Sequence, residues 1–163
     1  GKLPVTFYRN VSQLPDFEDY NMTGRTYRYM QDVPLFPFGY GLSYTTFGYG
    51  KTVLDKNELT AGQSLKLTVP VTNTGKRNGE EVLQVYLRKQ GGAEGPIKTL
   101  RAFKLVSIPA GKTVNVEFDL KDKELEWWDN QSNTVRVCPG NYDIMVGGSS
   151  KEEDLQRTTI AIK

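Results

Sequence analysis

The stretch Leu65-Lys66-Leu67-Thr68-Val69-Pro70-Val71-Thr72 decides the fold class. Leu65, Leu67, Val69 and Val71 take every second position, with Lys66, Thr68, Pro70 and Thr72 between them. Side chains on an extended chain alternate between two faces, so the pattern predicts a strand with one buried and one wet face. Pro70 has no amide hydrogen to give to a ladder, which predicts an edge strand or a bulge at this point. Working outward, the same period returns at Leu83, Val85 and Leu87, where Gln84, Tyr86 and Arg88 point the other way. It returns again at Val114, Val116, Phe118 and Leu120, at Tyr142, Ile144 and Val146, and in a closing run ending Ile160-Ala161-Ile162.

Between the runs stand turn formers: Asn73-Thr74-Gly75, Gly91-Gly92, Pro109-Ala110-Gly111, Asp129-Asn130, Pro139-Gly140-Asn141 and Gly147-Gly148. Roughly seven short strands at this spacing predict an all-β, immunoglobulin-like antiparallel sandwich over residues 50–163. A single helical turn is expected around 121–125. Residues 1–49 have a different texture. They hold twelve of the eighteen aromatic residues and four of the eight prolines, with neither period sustained. X-Pro steps favour extended or turn backbone, so this part is expected to be an extended N-terminal arm with short strands.

Composition removes several kinds of chemistry. Histidine is absent and Cys138 is the one cysteine, which excludes a Ser/His/Asp triad, a Cys/His dyad, zinc sites of His and Cys, and an internal disulfide. Cys138, between Val137 and Pro139, reads as a small buried hydrophobe. A net charge of +2 with both signs interspersed implies neither nucleic acid nor an anionic membrane as partner. The apolar runs fall short of the ~20 residues a membrane span needs. The chain opens on Gly1-Lys2-Leu3-Pro4 as though in mid-protein, so a missing signal peptide says nothing about export.

Glycoside hydrolysis needs two carboxylates roughly 5–10 Å apart across a sugar site. The acidic groups here are Asp16 with Glu18 and Asp19, Glu80 with Glu81, Glu124 with Glu126, and Glu152, Glu153 and Asp154. Each lies in a polar stretch, which favours a solvated face; the first is the least bland, because aromatic residues surround it. Trp127 and Trp128 are adjacent, so on a strand one faces the core and the other faces outward, where it could stack on a sugar ring. Asp129–Asn133 resembles half of a calcium loop but lacks the glycine and closing glutamate, and reads as a hairpin turn. Asn10, Asn21 and Asn130 head N-x-S/T sequons. Metal, cofactor and catalytic residues are all read as none.

Pro37-Phe-Gly-Tyr-Gly-Leu-Ser-Tyr-Thr-Thr-Phe47 resembles the segment that joins the second catalytic domain of glycoside hydrolase family 3 to its C-terminal fibronectin type III-like domain. GKLPVTF (1–7) resembles the last piece of that second domain. Residues 71–88, 99–118 and 138–150 resemble successive strands of the fibronectin-like domain, so the likeness covers nearly the whole chain. It implies an exported parent, extracellular or periplasmic, that cleaves β-glucosides or β-xylosides with retention. In that family the nucleophile is an aspartate of an N-terminal barrel and the acid/base is usually a glutamate of the second domain. Neither region is present, so no residue here inherits either role. The 17–30 stretch, FEDYNMTGRTYRYM, looks most like the β-xylosidase members. The resemblance therefore implies an accessory domain whose partners are the catalytic domains of its own chain, with Phe36, Phe38, Tyr40, Tyr44 and Phe47 as contact residues. The alternative is an autonomous carbohydrate-binding module that takes an oligo- or polysaccharide at Trp127 or Trp128.

Overall fold

A computed structural model describes residues 1–91 and 95–163; Gly92, half of one expected turn, lies outside the described residues. The long strands follow the alternating runs. They are β4 (Leu65–Asn73), β5 (Gly79–Lys89), β6 (Thr99–Ile108), β7 (Thr113–Leu120), β10 (Gly140–Gly147) and β11 (Gln156–Ile162). Shorter strands are β1 (Phe47–Tyr49), β2 (Val53–Leu54), β3 (Glu58–Leu59) and the hairpin pair β8 (Trp127–Asp129) and β9 (Thr134–Arg136). There are two four-residue helical turns, α1 (Thr26–Tyr29) in the arm and α2 (Asp122–Leu125) after β7, and two three-residue turns, Val11–Gln13 and Glu152–Asp154. Among the described residues no helix is long and apolar enough to cross a membrane.

Two sheets face each other. In the first, β4 pairs with β7 on one side and with β1 and then β2 on the other. The second runs β3-β11-β10-β5-β6 and is antiparallel apart from β3 beside β11. Leu65, Leu67, Val69 and Val71 of β4 meet Leu83, Val85 and Leu87 of β5 and Tyr142, Ile144 and Val146 of β10 in one buried core. Each such side chain gains about 1.5–3 kcal/mol by leaving water. Cys138 is buried at the rim of this core. Residues 47–49, grouped with the arm by texture, form part of the first sheet, with Phe47 opposite Asn73 and Tyr49 opposite Val71.

Two expectations need correction. Pro70 is not on an edge, because β4 has neighbours on both sides. Its carbonyl accepts from the Gly50 amide at 2.7 Å, just past the end of β1 and before β2 begins. The missing N–H therefore falls in the gap between two successive partners, where no ladder bond is lost. The second correction concerns β5. Gln84 and Tyr86 face away from the core, yet they are 3% and 0% exposed. The outer face of the second sheet is not wet there, because the arm covers it.

Candidate interdomain surface

Two extended segments of the arm are zipped together. Leu3 donates to the Tyr40 carbonyl and accepts from the Gly39 amide, both at 2.8 Å. Phe7 donates to Phe36 at 2.9 Å and accepts from Leu35 at 2.8 Å. Phe7 meets the edge of Phe36 at 6.2 Å, and Phe36 stacks on Tyr40 at 5.1 Å. Gly39 has φ +79, and a β-carbon there would run into the Gln84 side chain. Only glycine satisfies both demands, so this turn can lie directly on β5.

The arm is tied to the sandwich at several places. Tyr27 stacks on Phe38 at 4.5 Å and meets Tyr86 edge-on at 5.7 Å. Its hydroxyl accepts from the Leu100 amide at 3.1 Å. The Ile97 amide donates to the Arg28 carbonyl at 2.6 Å, and the Ser150 amide to the Phe38 carbonyl at 2.8 Å. Lys2 Nζ and the Tyr49 hydroxyl both donate to Glu81 Oε1, at 2.9 and 2.8 Å. Burial, then the Glu81 charge, raises the Tyr49 phenol far above its usual range, so it stays a donor. Glu81 was expected on a solvated face; it is buried, and its charge is met by these two donors. The signal that would have found it, a lysine 79 positions away, is not a sequence pattern.

A cleft of about 640 Å³ opens between the arm and the sandwich, walled by Tyr27, Met30, Phe36 and Tyr40 on one side and by Ile97 and Ser150–Asp154 on the other. Within its lining Lys98, 6% exposed, meets the Glu152 carboxylate at 2.8 Å, and Arg88 reaches the same carboxylate at 2.7 Å. Burial pulls the Lys98 ammonium below its usual range against the attraction of Glu152. For Glu152 burial acts to raise the acid, but the two cations outweigh it and hold it below the usual value. This is an ion-pair cluster closed on itself.

The remaining candidates are spread out. Phe38 and Tyr40 are half-buried, Phe36 is 38% exposed and Tyr44 91% exposed, while Phe47 packs on the sandwich core. Tyr27, which ties the arm to Tyr86, was not among the expected contact residues. Trp127 is buried with its edge against Tyr142 at 6.1 Å and the Arg101 guanidinium over its ring at 5.5 Å. Trp128 is 48% exposed on the β8–β9 hairpin. Asp16 and Glu18 stand in solvent, and Glu124 caps α2 by accepting from the Lys121 amide at 3.0 Å. Among the described residues no group of three or more carboxylates or cysteines is placed to hold a metal ion.

Asp129 closes the β8–β9 hairpin instead. Its carboxylate accepts from Ser132 at 2.6 Å, from Arg136 at 2.7 Å and from the Gln131 amide at 3.2 Å. Hydrogen bonds from Ser132 first, and then Arg136, lower its pKa from 3.8 to about 2. A lowered acid stabilises the fold above its unfolded pKa and stops doing so as pH falls through the folded one. Trp128 fluorescence should therefore change between about pH 3.8 and about 2, while far-ultraviolet dichroism holds. The Asp129→Asn chain should show no such step; a step of equal size in that variant would remove Asp129 as its cause.

The fibronectin type III-like domain family matches residues 81–150. The chain is 50% identical over 162 residues to a xylan 1,4-β-xylosidase of Xylanibacter ruminicola, an alignment taking in 99% of the chain and 18% of that protein. It is 35% identical to a periplasmic β-glucosidase of Salmonella typhimurium, over 92% of the chain and 21% of that protein. It superposes over its whole length on 22% of the structure of a β-glucosidase from Erythrobacter marinus, with a TM-score of 0.82 and 38% identity. The chain spans about a fifth of the length of the curated relatives it matches.

Proposed function

We propose that the chain, whose residues 81–150 match the fibronectin type III-like domain family, serves as the non-catalytic accessory domain of a larger β-glycosidase of glycoside hydrolase family 3. The rest of that parent chain hydrolyses β-linked xylosides or glucosides, and the parent works outside the cytoplasm, extracellularly or in the periplasm. Residues 45–163, with β1 included, are the rigid body; residues 1–44 are the arm that packs between this body and the catalytic portion. One observation carries the reading: the arm is fixed to the sandwich by Tyr27, Glu81 and Gln84, yet it still presents open rings outward at Phe36 and Tyr44. An exposed aromatic surface of this kind seeks a partner.

The isolated chain is expected to release no nitrophenol from aryl β-xylosides or β-glucosides above a buffer blank. Turnover that survived repeated purification and vanished in Asp16→Asn or Glu18→Gln would overturn the proposal. The half-exposed Trp128 favours a second reading, saccharide binding by the sandwich itself. Titration with xylo-oligosaccharides, followed by tryptophan emission, separates the two, since an accessory brace leaves the spectrum unmoved.

A further inference from the structure

In the middle of β6 three positions, Phe103 to Leu105, depart from the inner-apolar, outer-polar pattern. Ala102 and Val106 face the core, as their register opposite Val85 and Glu81 requires. Lys104, opposite Leu83, reaches across the sandwich edge to the Glu117 carbonyl at 2.9 Å. Phe103 and Leu105 point the other way and are 69% and 58% exposed. They lie on the same outer face as Gln84 and Tyr86, and Phe103 is directly opposite Gln84. That face is treated as an interior elsewhere: Tyr86 is 0%, Met145 1% and Gln84 3% exposed. The arm covers β5 and reaches the start of β6, where Tyr27 meets the Leu100 amide, but its Phe38-Gly39 turn ends against Gln84 and leaves Phe103 and Leu105 bare.

We propose that the outer face of β6, centred on Phe103 and Leu105, is the second half of the surface on which the rest of the parent chain sits. This rests on the accessory-domain reading above and extends it from the arm onto the sandwich. The strip begins where the arm ends, because the Phe38-Gly39 turn lies on Gln84 and Phe103 stands directly opposite Gln84. A body of that size is at hand, because the relatives are about five times as long as this chain. Lysine turned inward at an edge strand also guards against open-ended pairing with other copies, which fits a face reserved for one fixed neighbour. A second copy of this chain or a saccharide would be the competing covers.

Thiol labelling tests the proposal: the one cysteine of these 163 residues, Cys138, is buried, and labelling at the introduced site is read by peptide mapping, so thiols elsewhere in the full-length protein do not enter the rate. Phe103→Cys should react at the rate of a free thiol in the 163-residue chain and at least tenfold more slowly in the full-length protein that carries it. Hydrogen exchange at 101–105 in the unsubstituted proteins should show the same contrast and guards against a misfolded variant. Tyr44→Cys, in the arm, is the companion probe. Protection of Tyr44→Cys without protection of Phe103→Cys overturns this inference and leaves the accessory-domain reading standing; protection of neither sinks both. Protection in the 163-residue chain that grows with its concentration, or on adding xylo-oligosaccharide, assigns the strip to another occupant and also overturns it.

Discussion

Truncating Tyr86 to alanine should cost about 3–5 kcal/mol of unfolding free energy in the whole chain, as for other fully buried aromatic rings. The same change should cost no more than about 1 kcal/mol, the scale of strand preference, in a chain that starts at Thr45. The difference follows from what buries the ring. Tyr86 points away from the core, and the arm's Tyr27, itself stacked on Phe38, closes over it. Without the arm the ring would stand in water, and little is lost by removing it. The shorter chain must begin at Thr45 and not at residue 50, because Phe47–Tyr49 form β1 and the Thr45 hydroxyl bonds to Asn73 at 2.6 Å. It should unfold cooperatively, since the core is built from β1 onward. Urea melts of the four proteins give the answer; an equal loss in both backgrounds would show that something other than the arm buries Tyr86.

Asn73→Ala should remove about 3 kcal/mol, although no apolar surface is lost. The side chain is 0% exposed and fully used at the end of β4. Its amide donates to the carbonyls of Arg77 at 2.8 Å and Ile108 at 2.9 Å. Its oxygen accepts from the Thr45 hydroxyl at 2.6 Å and the Gly75 amide at 3.1 Å. One residue thus fixes the start of β1, the β4–β5 turn and the end of β6. Alanine leaves those groups without partners in a place water does not freely reach, and that penalty exceeds the net worth of a made bond. Asn73→Asp should be no better, because it aims a carboxylate at two carbonyl oxygens. Thr45→Val, which removes one of the four bonds, should cost about 1 kcal/mol. A melting curve for Asn73→Ala within 1 kcal/mol of the parent would mean that the surrounding loops re-form their bonds without it.

The sequence announced the sandwich wherever a strand was long enough to show a period. Leu65–Val71 and Val114–Leu120 reveal an inner face because four alternate positions suffice to define one. A strand of two or three residues, such as Val53–Leu54 or Glu58–Leu59, has no period to read. Alternation also identifies two faces without saying what covers the second, so Tyr86 and Gln84 read as a wet face when they lie beneath the arm. Pro70 misled for a related reason, since a missing donor marks a gap in pairing, and a gap can sit inside a sheet where one neighbour gives way to the next. In the arm, density of aromatic residues pointed to a contact surface but could not order its members. Tyr44 stands in solvent while Tyr27, not singled out, makes the contact with β5. Glu81 was unreadable because its partners are a lysine at the far end of the arm and a tyrosine of β1, brought together only by the fold.

The arm's landing site has a consequence for the order of synthesis. Residues 2–40 are made before the face they cover, which comes from β5, the start of β6 and β10, and β10 ends at Gly147. At roughly 5–20 residues per second, the arm's rings wait on the order of ten seconds for a surface to land on. During that interval Phe7, Tyr27, Phe36, Phe38 and Tyr40 are open to any apolar chain nearby, unless segments made before them give shelter. The aromatic arm thus makes the finished domain dependent on its own last-made strands, and a nascent chain stalled between β6 and β10 is the form most exposed to chaperones and to misassembly.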